Sequence, residues 1–405
     1  MIGRIHPSWF VPIACVIGYF MTTPGQTIGV SSFIDHIARD LSIPREQVLM
    51  LYSVGTLIGI LPAPYIGRLL DRYGPRRAIG FIVIALGLSC GALAWADGPW
   101  GLALGFTLLR GTAIGGLSLV CGHLINLWFD RYRGRSAAIA MLGMALGGLI
   151  VPGVAEGLTS AYGWRDAYLV LGVGVVAIML PVGLLLFRNH PGIYGLLPDF
   201  GKTAAAPSAH DIPGPTLREA QRTLVFWYLL AIGILVNAVG TALLLDHIRG
   251  LQAAGLSRET AIAMLGMVTV VQSIAFLGGG VLVDRYGSRR TGLLGLLLLA
   301  TSVVCMMTAT GLLAGAAYAA ALGASLGVLH VVGGAGYAEH FGTLHLGNIK
   351  GTASMVGIFG AAAGPLPLAL WSPGTSYWIF LAAIAAALAL GVSASRRPLI
   401  VPIAM

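Results

Sequence analysis

The sequence predicts an all-α integral membrane protein with twelve transmembrane helices, arranged as two related bundles of six. Three observations predict this fold: the apolar composition, a series of long apolar runs and an internal repeat. Of the 405 residues, 57% are hydrophobic and only 10% are charged, and the mean hydropathy is +0.86. Soluble domains contain about 25% charged residues. The composition therefore excludes a soluble enzyme, a disordered chain and a secreted disulfide scaffold.

Long apolar runs follow one another along almost the whole chain. A membrane-spanning helix needs about 20 mostly apolar residues, and twelve runs meet this requirement. The predicted spans lie at about 9–34, 47–70, 77–96, 99–126, 135–160, 166–187, 223–248, 260–283, 290–310, 313–338, 348–371 and 376–395. A polar, proline-rich stretch interrupts the series. We therefore predict a six-helix bundle at 1–187, a cytoplasmic interdomain loop at 188–222 and a second six-helix bundle at 223–405.

The basic residues are distributed unevenly between the two sides of the membrane. If the N-terminus is placed inside, most of the 24 Lys and Arg residues fall in the inner loops and tails. Because cytoplasmic loops are enriched in Lys and Arg, this asymmetry predicts that both termini are cytoplasmic. The net charge of +9 follows from this topology and implies no nucleic-acid partner. The lipid bilayer is the partner that the composition implies.

The second predicted bundle repeats parts of the first. The run at 67–77 (Gly-Arg-Leu-Leu-Asp-Arg-Tyr-Gly-Pro-Arg-Arg) follows the second span, and the run at 280–290 (Gly-Val-Leu-Val-Asp-Arg-Tyr-Gly-Ser-Arg-Arg) follows the eighth. The Asp-His-Ile tripeptide at 35–37 likewise matches the one at 246–248. Two similar halves predict a pseudo-twofold axis along the membrane normal, with a substrate site near the midplane.

Both loop runs resemble the loop motif of the major facilitator superfamily, and Arg110-Gly111-x-x-x-Gly115 resembles its second motif. Residues 126–134 and the Gly-Trp-Arg turn at 163–165 resemble one branch, the bacterial relatives of monocarboxylate porters and oxalate–formate exchangers. The resemblance covers essentially the whole chain. It implies a monomeric transporter in the bacterial inner membrane, working by alternating access.

Sequence signatures of other functions are missing. The four cysteines are scattered through apolar runs without a CxxC pair, so they predict neither a metal site nor a disulfide. The chain has no HExxH and no GxxxxGK[ST] motif. We therefore predict no enzyme, no ATP-driven pump, no metal and no cofactor.

The repeated loop motif is predicted to act as a conformational latch. A carboxylate such as Asp71 can accept hydrogen bonds from a helix N-terminus and from an arginine, and Gly67 permits close helix approach. In the superfamily this cluster ties the two halves together on the cytoplasmic side in one state of the cycle. The alternative is a basic anchor that only sets the topology. The predicted latch comprises Gly67, Asp71, Arg72, Arg76, Asp284, Arg285 and Arg289.

Polar residues inside the predicted spans are candidates for substrate binding, because such residues are costly in a bilayer unless they are paired or hydrated. Arg110 lies near mid-depth and could bind an anion or, alternatively, stabilise helix packing. The first and seventh spans each present polar residues at helical spacing, which could bind substrate or join neighbouring helices. The predicted substrate-binding residues are Arg110, Gln26, Asn237, Tyr19, Thr23 and Thr241. Pro24-Gly25 could break the first span and free backbone groups for a ligand.

Four further ionisable residues are candidates for proton coupling. His330 lies deepest within its span, where a histidine with a near-neutral pKa could carry a proton. Glu156, Asp246 and His247 lie near the outer ends of their spans, where Glu156 or Asp246 could instead form an outer gate.

The leading functional hypothesis is a secondary transporter that moves a small, monocarboxylate-like organic anion together with protons. The eighth predicted span contains no arginine, although porters of the resembled branch commonly have one there. Lys350 is assigned to the cytoplasmic start of the eleventh span, which makes Arg110 the deepest cation. An efflux transporter for an amphipathic drug or metabolite is the alternative.

Overall fold

The computed structural model describes residues 10–194, 196–199, 214–364 and 366–394. Contacts between residues divide the chain into two units. The first unit comprises Met1–Gly214 and Thr343–Ile358, and the second comprises Pro215–Gly342 and Phe359–Met405. Helices make up nearly all of the regular secondary structure in the described residues, so the predicted all-helical fold is confirmed.

The first unit begins with an interrupted helix. Helix α1 (Phe10–Met21) is followed by a 3-10 turn (Thr23–Gly25) and by the short helices α2 (Thr27–Ser31) and α3 (Ile34–Asp40). Pro24 has no N–H to donate, and Gln26 is extended, with φ −83° and ψ 157°. The break that Pro24-Gly25 predicts is therefore present.

The rest of the first unit consists of long helices joined by short turns. They are α4 (Arg45–Gly59), α5 (Ala63–Tyr73), α6 (Pro75–Ala94), α7 (Gly98–Arg110), a π-helical segment (Gly111–Ser118), α8 (Leu119–Trp128) and α9 (Arg133–Leu186). Gly163 interrupts α9 with a positive φ of 83°. Small residues let helices approach closely in a membrane, and a Cβ on Gly143 or Gly147 of α9 would collide with Val16 or Thr23. Glycine is therefore required where α9 packs against the first span.

The second unit combines long helices with two short ones. They are α10 (Leu217–Ala220), α11 (Leu224–Ala253), α12 (Arg258–Met307), α13 (Gly311–Phe341), α14 (Leu346–Ala363), α15 (Leu366–Leu370) and α16 (Pro373–Ala394). Gly287 interrupts α12 with φ 81° and ψ 157°. Helix α14 starts among the residues of the first unit and ends in the second.

Nine helices of the described residues are long and apolar enough to cross a membrane. Two of them, Arg133–Leu186 and Ala263–Met307, contain the interrupting glycines Gly163 and Gly287. Large apolar side chains such as Trp100 and Phe81 are strongly exposed, as expected on a surface that faces lipid. The multi-pass membrane architecture is thus supported, while the count of twelve spans stays a prediction.

The internal repeat is visible in the backbone as well as in the letters of the sequence. Three pairs of residues with positive φ are separated by one constant spacing: Ser42 and Gly255, Gly74 and Gly287, and Gly98 and Gly311. Gly74 (φ 77°, ψ 161°) and Gly287 (φ 81°, ψ 157°) have nearly the same conformation. The two units therefore turn their chains at matching positions.

Candidate functional site

The first copy of the loop motif holds the start of another helix. Asp71, in the last turn of α5, accepts hydrogen bonds from the backbone N–H groups of Gly347 (2.7 Å) and Asn348 (3.0 Å). These amides belong to the first turn of α14, where N–H groups lack intrahelical partners and the helix dipole favours a negative charge. A Cβ on either Gly67 or Gly347 would collide with the backbone of the other. Asp71 is thus bound to a helix N-terminus through a contact that requires glycine on both sides.

The arginines of this motif have other contacts. Arg72 lies over the ring of Tyr73 at 5.3 Å, and the backbone N–H of Arg76 donates to Asn189 Oδ1 at 3.2 Å. Both side chains are exposed, and within the described part of the chain neither forms an ion pair with Asp71. The carboxylate of this predicted latch is therefore held by backbone amides and not by arginines.

The second copy uses a carboxylate from outside the motif. Glu339 of α13 accepts a hydrogen bond at 2.8 Å from the backbone N–H of Ser288, just after Gly287, and the Ser288 hydroxyl lies 3.1 Å from His340 Nε2. The predicted residues Asp284, Arg285 and Arg289 lie just before and after this turn. We did not predict a role for Glu339. The sequence around Glu339 gives no signal for such a role, because this residue lies far along the chain from the motif.

Arg110 joins the broken first span to the second. It is only 7% exposed. Its Nη1 donates to the carbonyl oxygen of Gly25 at 2.8 Å, and its Nε donates to Thr56 Oγ1 at 3.0 Å. The guanidinium lies 5.1 Å from the centre of the Tyr52 ring. The break in the first span frees the Gly25 carbonyl, and a charge-assisted hydrogen bond satisfies it.

The other predicted residues of the first span are separated by the break. Tyr19 lies in α1, Thr23 in the 3-10 turn, and Gln26 at the extended residue that follows. The Thr23 hydroxyl donates to the Phe20 carbonyl at 2.6 Å, and Gln26 Nε2 donates to Thr22 Oγ1 at 3.2 Å. The common face predicted for these side chains assumed a continuous helix, which the structure does not have.

A second buried cation lies in the first unit, where the sequence interpretation placed a surface residue. Lys350 is in the second turn of α14 and only 8% exposed. An ideal Cβ on Gly122 would lie 3.1 Å from Lys350 Nζ and 3.2 Å from the Tyr19 hydroxyl. His123, next to Gly122, is 2% exposed. Arg110 is therefore not the only deep cation. The spacing of Gly347 and Gly351 around Lys350 was the available signal, because small residues four apart indicate close packing.

The matching span of the second unit has a different arrangement. Helix α11 runs without a break, and Asn237 Nδ2 donates to the Gly233 carbonyl of its own helix at 2.7 Å. Thr241 lies one turn later on the same helix. His330 donates from Nδ1 to the Leu326 carbonyl at 2.6 Å, which leaves Nε2 as the nitrogen that can exchange a proton.

Two outer candidates for proton coupling are fully engaged in hydrogen bonds. Buried Asp246 accepts from Tyr377 (2.8 Å) and from Arg249 Nε (2.6 Å). His247 Nε2 faces the Ala261 carbonyl at 3.0 Å, so it must donate, and Nδ1 lies 3.1 Å from the Tyr318 hydroxyl. The adjacent residues thus belong to separate networks.

Glu156, the remaining candidate, lies in the first unit. Its carboxylate is 60% exposed and lies 3.5 Å from His36 Nε2. No group of three or more His, Cys, Asp or Glu residues that could hold a metal ion is present in the described ranges.

Comparison with known sequences decides the family. The sequence profile of the Major Facilitator Superfamily matches residues 15–365. The chain belongs to the Major Facilitator Superfamily.

Named relatives within the Major Facilitator Superfamily carry different substrates. The fujikurins efflux protein of Gibberella fujikuroi is 25% identical over 292 residues, which cover 69% of this chain and 54% of that protein. The gallate transporter of Pseudomonas putida is 25% identical over 315 residues, covering 70% of this chain and 67% of that protein. The chain thus spans only about half the length of the fujikurins relative.

Solved structures confirm the Major Facilitator fold. The proton:xylose symporter XylE, bound to 6-bromo-6-deoxy-D-glucose, superposes with a TM-score of 0.76 at 16% identity, covering 95% of each chain. At this identity the similarity concerns the fold alone. Members of the Major Facilitator Superfamily are transporters and not enzymes, so the prediction that the chain is not an enzyme is confirmed.

Proposed function

We propose that the chain is a secondary transporter of small organic anions, monocarboxylates in particular, and that it couples their movement to protons by alternating access. One observation carries this proposal: two cationic side chains, Arg110 and Lys350, are buried in the first unit. A buried cation in a membrane protein is costly and is usually retained for a function. An anionic substrate would carry a charge opposite to that of these two side chains. The gallate transporter, whose named substrate is a carboxylate, lends support.

The predicted contacts keep their proposed roles within this function. Arg110, Gln26, Tyr19 and Thr23 would contribute from the first unit, and Asn237 and Thr241 from the second. His330, Glu156, Asp246 and His247 are the candidates for the coupling proton. Among these, His330 has a ring nitrogen that is not committed to a carbonyl, and Glu156 is exposed to exchange.

The contact between Asp71 and α14 is proposed to work as the cytoplasmic latch. It joins residues far apart in the chain through two hydrogen bonds to backbone amides, which can form and break as one unit. Releasing α14 would change access to the anion from the cytoplasm. We further propose that the protein acts as a monomer in a bacterial inner membrane, with both termini in the cytoplasm.

Uptake into proteoliposomes tests the proposal. The purified full chain is reconstituted, and uptake of radiolabelled gallate, lactate and benzoate is measured with and without an inwardly directed proton gradient. We expect at least one carboxylate to accumulate only when the gradient is present. Protein-free liposomes are the control, since protonated weak acids cross bilayers unaided. Uptake equal to that control for every acid would contradict the proposal.

Export of an amphipathic metabolite is the second candidate. It is favoured by the similarity to the fujikurins efflux protein and by the lack of an arginine in the predicted eighth span. The same proteoliposomes distinguish the two functions when an amphipathic dye replaces the acids. Proton-driven transport of the dye without any transport of acids would favour export.

A further inference from the structure

Two polar side chains, those of Tyr19 and Lys350, meet beside Gly122 in the first unit, and His123 is the next residue along the chain. Tyr19 comes from α1, His123 from α8 and Lys350 from α14. The position of a Cβ on Gly122 lies 3.1 Å from Lys350 Nζ and 3.2 Å from the Tyr19 hydroxyl. The amine and the hydroxyl therefore approach the same small space, and glycine at position 122 keeps that space open.

His123, the residue after Gly122, supplies an independent sign that a ligand binds in this region. Its side chain is 2% exposed, and its Nδ1 is buried without a hydrogen-bond partner among the described residues. Buried polar atoms in proteins nearly always have a partner, so an orphaned one needs an explanation. Lys350 is close enough for its charge to act on the imidazole. A ligand that hydrogen-bonds to His123 Nδ1 would satisfy this atom.

His123 also lines a cavity at the end of α5. The cavity has a volume of about 230 Å³, and its lining includes Arg72, Arg77, Asn189 and His190. This size accommodates a small organic acid but not a large amphipathic molecule. The imidazole thus borders a cavity with two arginines and lies near the buried ammonium of Lys350.

We infer that Lys350, Tyr19 and His123 form the carboxylate-binding subsite of the first unit. The inference rests on the proposed anion transport and names the residues that hold the anion's charge. Lys350 supplies the counter-charge, the Tyr19 hydroxyl donates to a carboxylate oxygen, and His123 Nδ1 hydrogen-bonds to the same group or to a hydroxyl on the neighbouring carbon. Arg110 also connects the break to the second span through its Nε and Nη1.

The position of the subsite suggests how binding reaches the latch. Lys350 lies within one turn of Gly347 and Asn348, whose amides bind Asp71. An anion bound to Lys350 therefore acts on the same helical turn that the latch holds. The start of α14 would therefore contact both the charge of the substrate and the carboxylate of Asp71.

The test measures binding to the purified full chain in detergent, using the carboxylate that the wild type transports best and its uncharged amide as probes. Lys350→Met keeps the side-chain volume and removes the charge, and we expect it to weaken carboxylate binding by about 30-fold or more. Lys350→Arg restores a cation and should recover part of the affinity. Binding of the amide should be weak and unchanged by either substitution.

Gly122→Ala tests the geometry without changing any charge. Its methyl group fills the space between the amine and the hydroxyl, so we expect a loss of carboxylate affinity of at least tenfold. Gly174→Ala is the matched control, because a Cβ there meets nothing within 4 Å. Arg218→Gln controls for the loss of one exposed positive charge. Both controls should bind the acid like the wild type.

The outcomes separate this inference from the proposed function. If the wild type transports the acid and Lys350→Met and Gly122→Ala, both folded by gel filtration, bind it with unchanged affinity, the subsite is wrong while anion transport stands. If the wild type transports no acid, the proposed function fails first. Loss of affinity in both variants, with the controls intact, supports the subsite.

Discussion

The first span of the first unit and its match in the second unit show how far a duplicated chain can diverge. In the first unit the helix breaks at Thr23–Gly25, and Arg110 binds the freed carbonyl of Gly25. In the second unit α11 continues for 30 residues. At the constant spacing that aligns the turns, Arg110 corresponds to Gly323, which packs against the backbone of Val268. The two units have turns at matching positions, whereas both of the buried cations described above lie in the first unit.

The largest effect is expected from removing the cation that stabilises the break. Arg110→Ala leaves the Gly25 carbonyl and the Thr56 hydroxyl without their donor, and each orphaned buried group costs about 1–3 kcal/mol. We expect a loss of stability of about 2–5 kcal/mol, measured as a lower midpoint of thermal unfolding in detergent. Asn237→Ala in the unbroken helix should cost less than about 1 kcal/mol. Equal losses of stability in the two variants would contradict the claim that the broken helix depends more on a buried polar contact than the unbroken helix does.

The latch provides the next test. Asp71→Asn removes the charge that faces the α14 amides, while the protein should still insert and fold. We expect uptake of the transported carboxylate to fall at least tenfold. Glu339→Gln, which changes the carboxylate bound to Ser288 in the second unit, should reduce uptake much less. Normal uptake by Asp71→Asn at matched protein levels would rule out the latch.

A smaller effect is expected from the two amides that the repeat pairs. Gln26 lies at the break and donates to Thr22 of its own segment, whereas Asn237 donates to its own helix. Gln26→Ala should reduce transport several-fold, and Asn237→Ala should leave the transport rate within a factor of about two. Initial rates of uptake at saturating substrate check this prediction. A larger defect in Asn237→Ala would show that the units contribute equally.

The smallest effect concerns the pH dependence of transport. If His330 carries the coupling proton, His330→Gln should flatten the profile of uptake against pH while exchange of substrate between the two sides continues. Rates between pH 5 and pH 8 in the variant and the wild type would measure this. An unaltered profile would leave Glu156, Asp246 and His247 as the candidates.

Much of the fold could be predicted because membrane helices leave strong local signals. The apolar runs, the repeated loop motif and the break at Pro24-Gly25 all depend on neighbouring residues in the sequence. The turns at Gly74 and Gly287 also follow from the local sequence, since a positive φ favours glycine. The helical architecture and the break at Pro24-Gly25 appear in the structure as the sequence predicted.

The candidate site was harder to predict, because it depends on contacts between distant helices. Asp71 binds amides of Gly347 and Asn348, and no local pattern identifies which helix N-terminus a carboxylate will meet. Lys350 lies near the start of an apolar run, so we assigned it to the cytoplasmic surface, but close packing of α14 buries it. The position of Lys350 near a helix end in the sequence therefore did not reveal that its side chain is buried.

The most direct test of the account is a thermal-stability screen of the purified wild-type protein, performed at two pH values. The panel contains small carboxylates, their neutral amides and amphipathic cations. A ligand that binds the folded state raises the unfolding temperature by mass action. The account predicts that at least one small carboxylate raises this temperature and that its amide does not. Stabilisation by amphipathic cations alone would contradict the claim that the buried cations of the first unit serve an organic anion.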